Sequence, residues 1–125
     1  MDELKILVVD DSPEFNFLMS SLLKFHKISV DSTGDPKEAV SMVNENSYQL
    51  VITDYMMDDL NGIELASKIR TDPCPNKSAP IILITAKTLD NDELTHVKNL
   101  NLTLIKKPIM PNELYKRVVD IIDAT

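Results

Sequence analysis

Three short, uninterrupted apolar runs, Ile6-Leu7-Val8-Val9, Leu50-Val51-Ile52 and Ile81-Ile82-Leu83-Ile84, constrain the fold of this chain more than any other feature. A strand with one wet face alternates apolar and polar residues, whereas a run with no polar member needs cover on both faces. Parallel strands receive that cover from their crossover helices. Ile28-Ser29-Val30 and Leu102-Thr103-Leu104-Ile105 are weaker strand candidates that bring the expected number to five. Between the runs lie stretches with helical spacing: Phe15, Leu18, Met19, Leu22 and Leu23, then Leu65 and Ile69, then Leu114, Val118, Ile121 and Ile122. Strand and helix alternate five times, which predicts a doubly wound α/β domain with a five-stranded parallel sheet, (βα)5 and flavodoxin-like, in strand order 2-1-3-4-5.

Local signals mark the helix starts. Ser12 precedes Pro13, Asp35-Pro36-Lys37-Glu38 offers an acidic cap with Glu three residues on, and Asn61 and Asp90 are followed at the same spacing by Glu64 and Glu93. Met110, before Pro111, has no side-chain oxygen for the free amides of the last helix, so that helix is expected to rely on packing. At 125 residues we read one domain, 1–125, large enough to bury a core without disulfides.

Composition excludes several functions. With 20 acidic against 13 basic residues and a formal charge of -7, the surface does not suit phosphate backbones or anionic lipid, so neither nucleic acid nor membrane is an expected partner. The lone Cys74, between Pro73 and Pro75, has no partner for a disulfide or a thiolate metal site and is expected to be an exposed loop thiol. The start of the chain lacks the basic n-region of a signal peptide, and no span is long enough to cross a bilayer. A cytoplasmic location is the expectation. His26 and His96 lack carboxylate or cysteine companions at ligand spacing and are expected at helix edges or the surface, and Met56 and Met57 as gap fillers or boundary residues.

In doubly wound sheets, ligands bind beyond the carboxyl ends of the strands, where the strand order reverses. Asp10 and Asp11 end the first strand and Asp54 the third. In the order 2-1-3-4-5 these strands are neighbours, so three carboxylates converge on one crevice. Such a cluster holds together only if a cation sits in it or some carboxylates protonate, and oxygen ligands with open positions suit magnesium. Thr85 closes the fourth strand and Lys107 follows the fifth, so one hydroxyl and one ammonium face the acids. A phosphoryl group held jointly by metal, ammonium and hydroxyl fits this arrangement. Asp54 stands alone at its strand end and is the expected nucleophile toward phosphorus, while the adjacent pair Asp10 and Asp11 suits metal holding.

The Asp10-Asp11 pair, Asp54 after an apolar strand, Gly62 eight residues later, Thr85-Ala86 and Lys107-Pro108 correspond in kind, order and spacing to the motifs of response-regulator receiver domains of two-component signalling. The chain resembles that family over nearly its whole length, in the manner of single-domain chemotaxis regulators. The resemblance implies that Asp54 takes a phosphoryl group from a phosphohistidine, on a histidine kinase or a histidine phosphotransfer protein, or from a small acyl-phosphate donor. It implies magnesium (Mg2+) bound by Asp11, Asp54 and the backbone carbonyl of Met56, and by Asp10 through water. It further implies that Thr85 and Lys107 bind the phosphoryl oxygens, that the Lys107-Pro108 bond is cis, and that the acyl phosphate later hydrolyses. The chain is then a phosphoacceptor switch rather than an enzyme, biasing a two-state equilibrium and presenting the face of the fourth helix, fifth strand and fifth helix to a downstream protein.

Some positions depart from the family pattern. Asp58 stands where a proline is usual, and Leu104 takes the place where an aromatic residue commonly switches rotamer with the threonine. Met56 and Lys87, two residues beyond Asp54 and Thr85, lie where the family tunes access of hydrolytic water, and neither is an evident base. A dehalogenase-like phosphatase would place a second aspartate two residues after the nucleophile, where this chain has Ser12 or Met56. A flavin-binding loop would present hydroxyls and glycine amides where Asp10 and Asp11 repel phosphate.

Overall fold

The computed structural model describes residues 4–124. Five strands and five helices alternate: β1 (Lys5–Val9), α1 (Pro13–Phe25), β2 (Ser29–Thr33), α2 (Pro36–Glu45), β3 (Leu50–Asp54), α3 (Gly62–Thr71), β4 (Ile81–Thr85), α4 (Asn91–Asn99), β5 (Thr103–Lys106) and α5 (Pro111–Ala124). All strand pairs are parallel, and the sheet order is β2-β1-β3-β4-β5.

The apolar runs bury both faces as their composition demands. Ile6, Val8, Leu50, Ile52, Ile82 and Ile84 pack under α1 and α5 against Met19, Leu23, Leu114 and Val118. Their strand neighbours Leu7, Val9, Val51 and Ile81 point the other way, against Ala39 and Val43 of α2 and Leu65, Ala66 and Ile69 of α3. A smaller cluster of Tyr55, Ile63, Leu83, Leu89 and Val97 seats α4, whose only buried residue is Val97.

Helix starts follow the local signals. Ser12 accepts the Phe15 amide, and Asn61 with Glu64 and Asp90 with Glu93 form reciprocal capping boxes. Asp35 also caps α2, but through the Lys37 amide rather than in a box with Glu38. At α5, Met110 contributes only its carbonyl, which accepts the Leu114 amide, and its side chain is exposed.

Several expectations are corrected. β2 runs Ser29–Thr33 rather than 28–30 and is mostly polar, because an edge strand receives cover from fewer neighbours. Leu18 shares the helical spacing of the α1 stripe yet is 52% exposed, because Met19 and Leu23 occupy the line that faces the sheet. Cys74 is half-buried rather than exposed, its Sγ directed at the Ile69 carbonyl. The histidines lie where they are expected: His26 caps the C-terminus of α1 and stacks on Tyr115, and His96 is exposed in the last turn of α4.

The Pro-Cys-Pro segment leads into Asn76, which has no exposed surface. Its Oδ1 accepts the Tyr48 amide at 2.6 Å, and its Nδ2 donates to the carbonyls of Val43 at 2.7 Å and Asn46 at 2.6 Å. One side chain thereby satisfies three backbone groups, two of them in buried bonds, where α2 turns into β3. Asn76→Ala would orphan all three, and a loss of about 2–4 kcal/mol is expected in urea denaturation, seen as a lower midpoint with unchanged m-value.

Candidate functional site

Register carries the strand ends to one level. Val9 pairs with Thr53 and Thr85 with Lys106, so Asp10 and Asp54 emerge side by side and Lys107 emerges beside Thr85. The strands are closed at this level by bonds from the Asp10 amide to Thr33 O, the Tyr55 amide to Ile84 O and the Lys107 amide to Thr85 O. Gly62 completes the floor. A Cβ there would stand 2.5 Å from the Asp54 carbonyl oxygen, so only glycine lets α3 begin this close to β3.

The pocket brings together the carboxylates expected from the sequence. Asp10, Asp11 and Asp54 each offer an oxygen, all within 4.8 Å of one another. Asp10 and Asp54 are buried, and Asp11 is exposed at the rim. Lys107 Nζ lies 3.1 Å from Asp54 Oδ1 and 3.8 Å from Asp10 Oδ2, whereas Lys106 turns away to donate to Thr88 Oγ1. The ammonium also lies over the Phe15 ring. Thr85 is buried, and its Oγ1 accepts the Lys87 amide at 2.9 Å and donates to Lys87 O at 3.3 Å. Met56 follows in the β3–α3 loop with an exposed side chain. Asp58 is exposed and solvated. The Lys107-Pro108 peptide is cis.

The electrostatics are unbalanced. Asp10 Oδ1 accepts the Ser12 amide at 2.8 Å, but Oδ2 is buried with no hydrogen-bond partner. Burial raises the Asp10 pKa above its ordinary value, and the carboxylates of Asp54 and Asp11 raise it further, against the lowering effects of the Ser12 amide and Lys107. One lysine does not offset three carboxylates. A buried anionic oxygen with no hydrogen bond and only a long ion pair to Lys107, converging with two others, is the donor set of a small hard cation, so the residues present fit magnesium.

Sequence reasoning did not find a second polar cluster at the pocket edge. Tyr55, directly after Asp54, donates its hydroxyl to Glu93 Oε2 in the first turn of α4, and Lys87 Nζ pairs with the same oxygen at 3.1 Å. The lysine lies 5.1 Å above the Tyr55 ring centroid. The Tyr55 hydroxyl, the Asp90 amide and Lys87 together hold the Glu93 carboxyl well below its usual value, to about 2. The only sequence signal was positional: Tyr55 and Lys87 follow closely on Asp54 and Thr85, and Glu93 was visible solely as a capping residue.

A doubly wound sheet with an acidic crevice, a hydroxyl and an ammonium at the ends of β1, β3, β4 and β5 defines an α/β protein whose candidate site lies beyond the carboxyl ends of its strands. Residues 6–119 match the response regulator receiver domain family, and the chain belongs to that family. It is 28% identical over 121 residues to the transcriptional regulatory protein SrrA of Staphylococcus aureus, a match that covers 97% of this chain and 48% of SrrA. The chain thus spans about half the length of these full-length relatives. Among solved structures it resembles the chemotaxis protein CheY4 of Vibrio cholerae, with TM-score 0.85 and 25% identity, covering 96% of this chain and 99% of that one. It also resembles the response regulator TrrA of Thermotoga maritima, solved in complex with Mg(2+)-BeF, with TM-score 0.80 and 30% identity over 94% of this chain and 98% of that one. No helix among the described residues is long and apolar enough to cross a membrane.

The imbalance in the pocket has a measurable consequence. A folded-state pKa raised above the unfolded value means that the folded protein binds this proton more tightly, so Asp10 opposes folding at neutral pH and ceases to do so as the pH falls through its folded pKa. In divalent-free buffer at pH 7, Asp10→Asn is expected to raise Tm by about 3–5 °C, keeping the bond from Ser12 while removing a charge. Calorimetry at decreasing pH should show that advantage shrinking, and added magnesium should stabilise the wild type more than the variant.

Proposed function

We propose that this receiver domain is a magnesium-dependent phosphoryl acceptor at Asp54. The observation that carries the reading is the placement of Lys107 Nζ 3.1 Å from Asp54 Oδ1, within a set of three carboxylate oxygens no more than 4.8 Å apart. Asp10, Asp11, Asp54 and the backbone carbonyl of Met56 would hold the metal. When bound, the ion would neutralise charge in the pocket and on the phosphoryl oxygens.

The chain's own residues divide the remaining work. An oxygen of Asp54 attacks phosphorus on a phosphohistidine of a histidine kinase or histidine phosphotransfer protein. The P–N bond breaks, and the imidazole leaves with the electron pair and takes up a proton. Lys107 exchanges its ion pair with the free carboxylate for one with a phosphoryl oxygen, so its charge remains matched. The Thr85 hydroxyl, now donating to Lys87 O, has one proton and redirects it to a second phosphoryl oxygen. Hydrolysis later returns the carboxylate: water attacks phosphorus, the P–O bond to Asp54 breaks, and inorganic phosphate leaves. No evident base stands at Met56 or Lys87, and Lys87 is engaged by Glu93, which supports a slow, switch-like return rather than enzymatic turnover.

Output by this reading passes to a downstream protein through the face of α4, β5 and α5. α4 has one buried residue among nine, Val97, which leaves it lightly anchored to the core. The net charge of -7 argues against direct contact with nucleic acid, and a cytoplasmic location accompanies a kinase partner.

Intact-mass analysis after incubation with magnesium and acetyl phosphate should show one phosphoryl adduct, absent in Asp54→Asn and without added magnesium. Lys107→Ala and Thr85→Ala should slow adduct formation by about tenfold or more. Failure of the wild type to gain the adduct, or its survival in Asp54→Asn, overturns the assignment.

A further inference from the structure

The family's usual relay needs an aromatic side chain at the position of Leu104. Here that residue packs against the apolar cluster of Tyr55, Ile63, Leu83, Leu89 and Val97, and it has no group that can follow a hydroxyl. A different connection from the pocket to α4 is built beside it. Tyr55 is 8% exposed and continues the acceptor strand, its amide bonded to Ile84 O and its carbonyl accepting from the Gly62 amide. From this fixed base its hydroxyl reaches Glu93. Glu93 Oε2 also receives Lys87, while its Oε1 accepts the Asp90 amide in the α4 capping box. Lys87 in turn holds the Thr85 hydroxyl through both its amide and its carbonyl.

The chain of contacts from Thr85 through Lys87 to Glu93 therefore ends on the first turn of α4, with Tyr55 as its fixed support. A hydroxyl has a single proton. If Thr85 donates it to a phosphoryl oxygen, its bond to Lys87 O is lost and the Lys87 backbone is released on that side. The ammonium of the same residue is tied to Glu93 and lies over the Tyr55 ring. Movement of Lys87 must then either break this tie or carry the α4 N-terminus with it, and α4 has only Val97 to resist. The connection is two-state in character, since the Thr85 proton is committed either to Lys87 or to the phosphoryl group.

We propose that Tyr55, Lys87 and Glu93 form the element that couples the phosphorylation state of Asp54 to the position of the first turn of α4. This rests on the reading of Asp54 as phosphoacceptor. Glu93 and Lys87 are positioning residues: neither touches the phosphoryl group.

The test is amide NMR of the purified chain with magnesium alone and with magnesium plus beryllium fluoride as an acyl-phosphate mimic. Wild type, Lys87→Met, Glu93→Gln and Lys87→Arg are compared. Glutamine at 93 preserves the capping box, so a purely structural role predicts no change in that variant. The expected result is a response at Asn91–Leu94 in the wild type that falls at least about threefold in K87M and E93Q and returns in K87R, while the responses at Asp10, Asp54 and Lys107 persist in all four. Equal α4 responses in wild type, K87M and E93Q would overturn the coupling, as would a wild type whose pocket responds while α4 does not; both leave the phosphoacceptor reading standing. A wild-type pocket that does not respond at all overturns that reading and the coupling with it.

Discussion

Mutual repulsion among Asp10, Asp11 and Asp54 is the constraint around which the rest of the structure is arranged. Three carboxylate oxygens within 4.8 Å of one another are held in place by β1 and β3, whose side chains are almost wholly buried. Like charges this close repel one another, and the burial of Asp10 and Asp54 removes much of the solvent that would screen them. Lys107 relieves part of this, and the sheet tolerates what is left because its two apolar faces are continuous. An acidic pocket on a small domain thus depends on a core with few polar interruptions. The same unrelieved charge is what would give a divalent cation its affinity.

Much of this was legible in the sequence, for identifiable reasons. Runs such as Ile81-Ile82-Leu83-Ile84 have one physical solution, a strand covered on both faces, and side-chain oxygens at Ser12, Asn61 and Asp90 fix the helix starts within a residue. Asp10, Asp54, Thr85 and Lys107 converge because each occupies a strand end, a property of position that survives translation into three dimensions. Side-chain direction was less visible. Leu18 matched the helical spacing and still faces outward, because a stripe wide enough for five residues exceeds what the sheet can cover. Asn76 and Glu93 were illegible as partners, since their bonds reach across 28 and 38 residues to Tyr48 and Tyr55.

The capping residue of α4 shows how one side chain acquires two functions. Glu93 Oε1 serves the helix terminus through Asp90, and Oε2 serves the pocket edge through Tyr55 and Lys87. A carboxylate has enough acceptor sites for both roles at once. Helix capping and the ties to Tyr55 and Lys87 therefore meet on one group at the α4 N-terminus.

Gly62 gives the pocket its mechanical character. Because no Cβ separates the start of α3 from the Asp54 carbonyl, helix and strand press together directly beneath that residue. The Asp54 backbone is seated against an anvil, with no room beneath it for a side chain at the start of α3. How closely that helix and strand can meet is thus set by a residue that has no side chain.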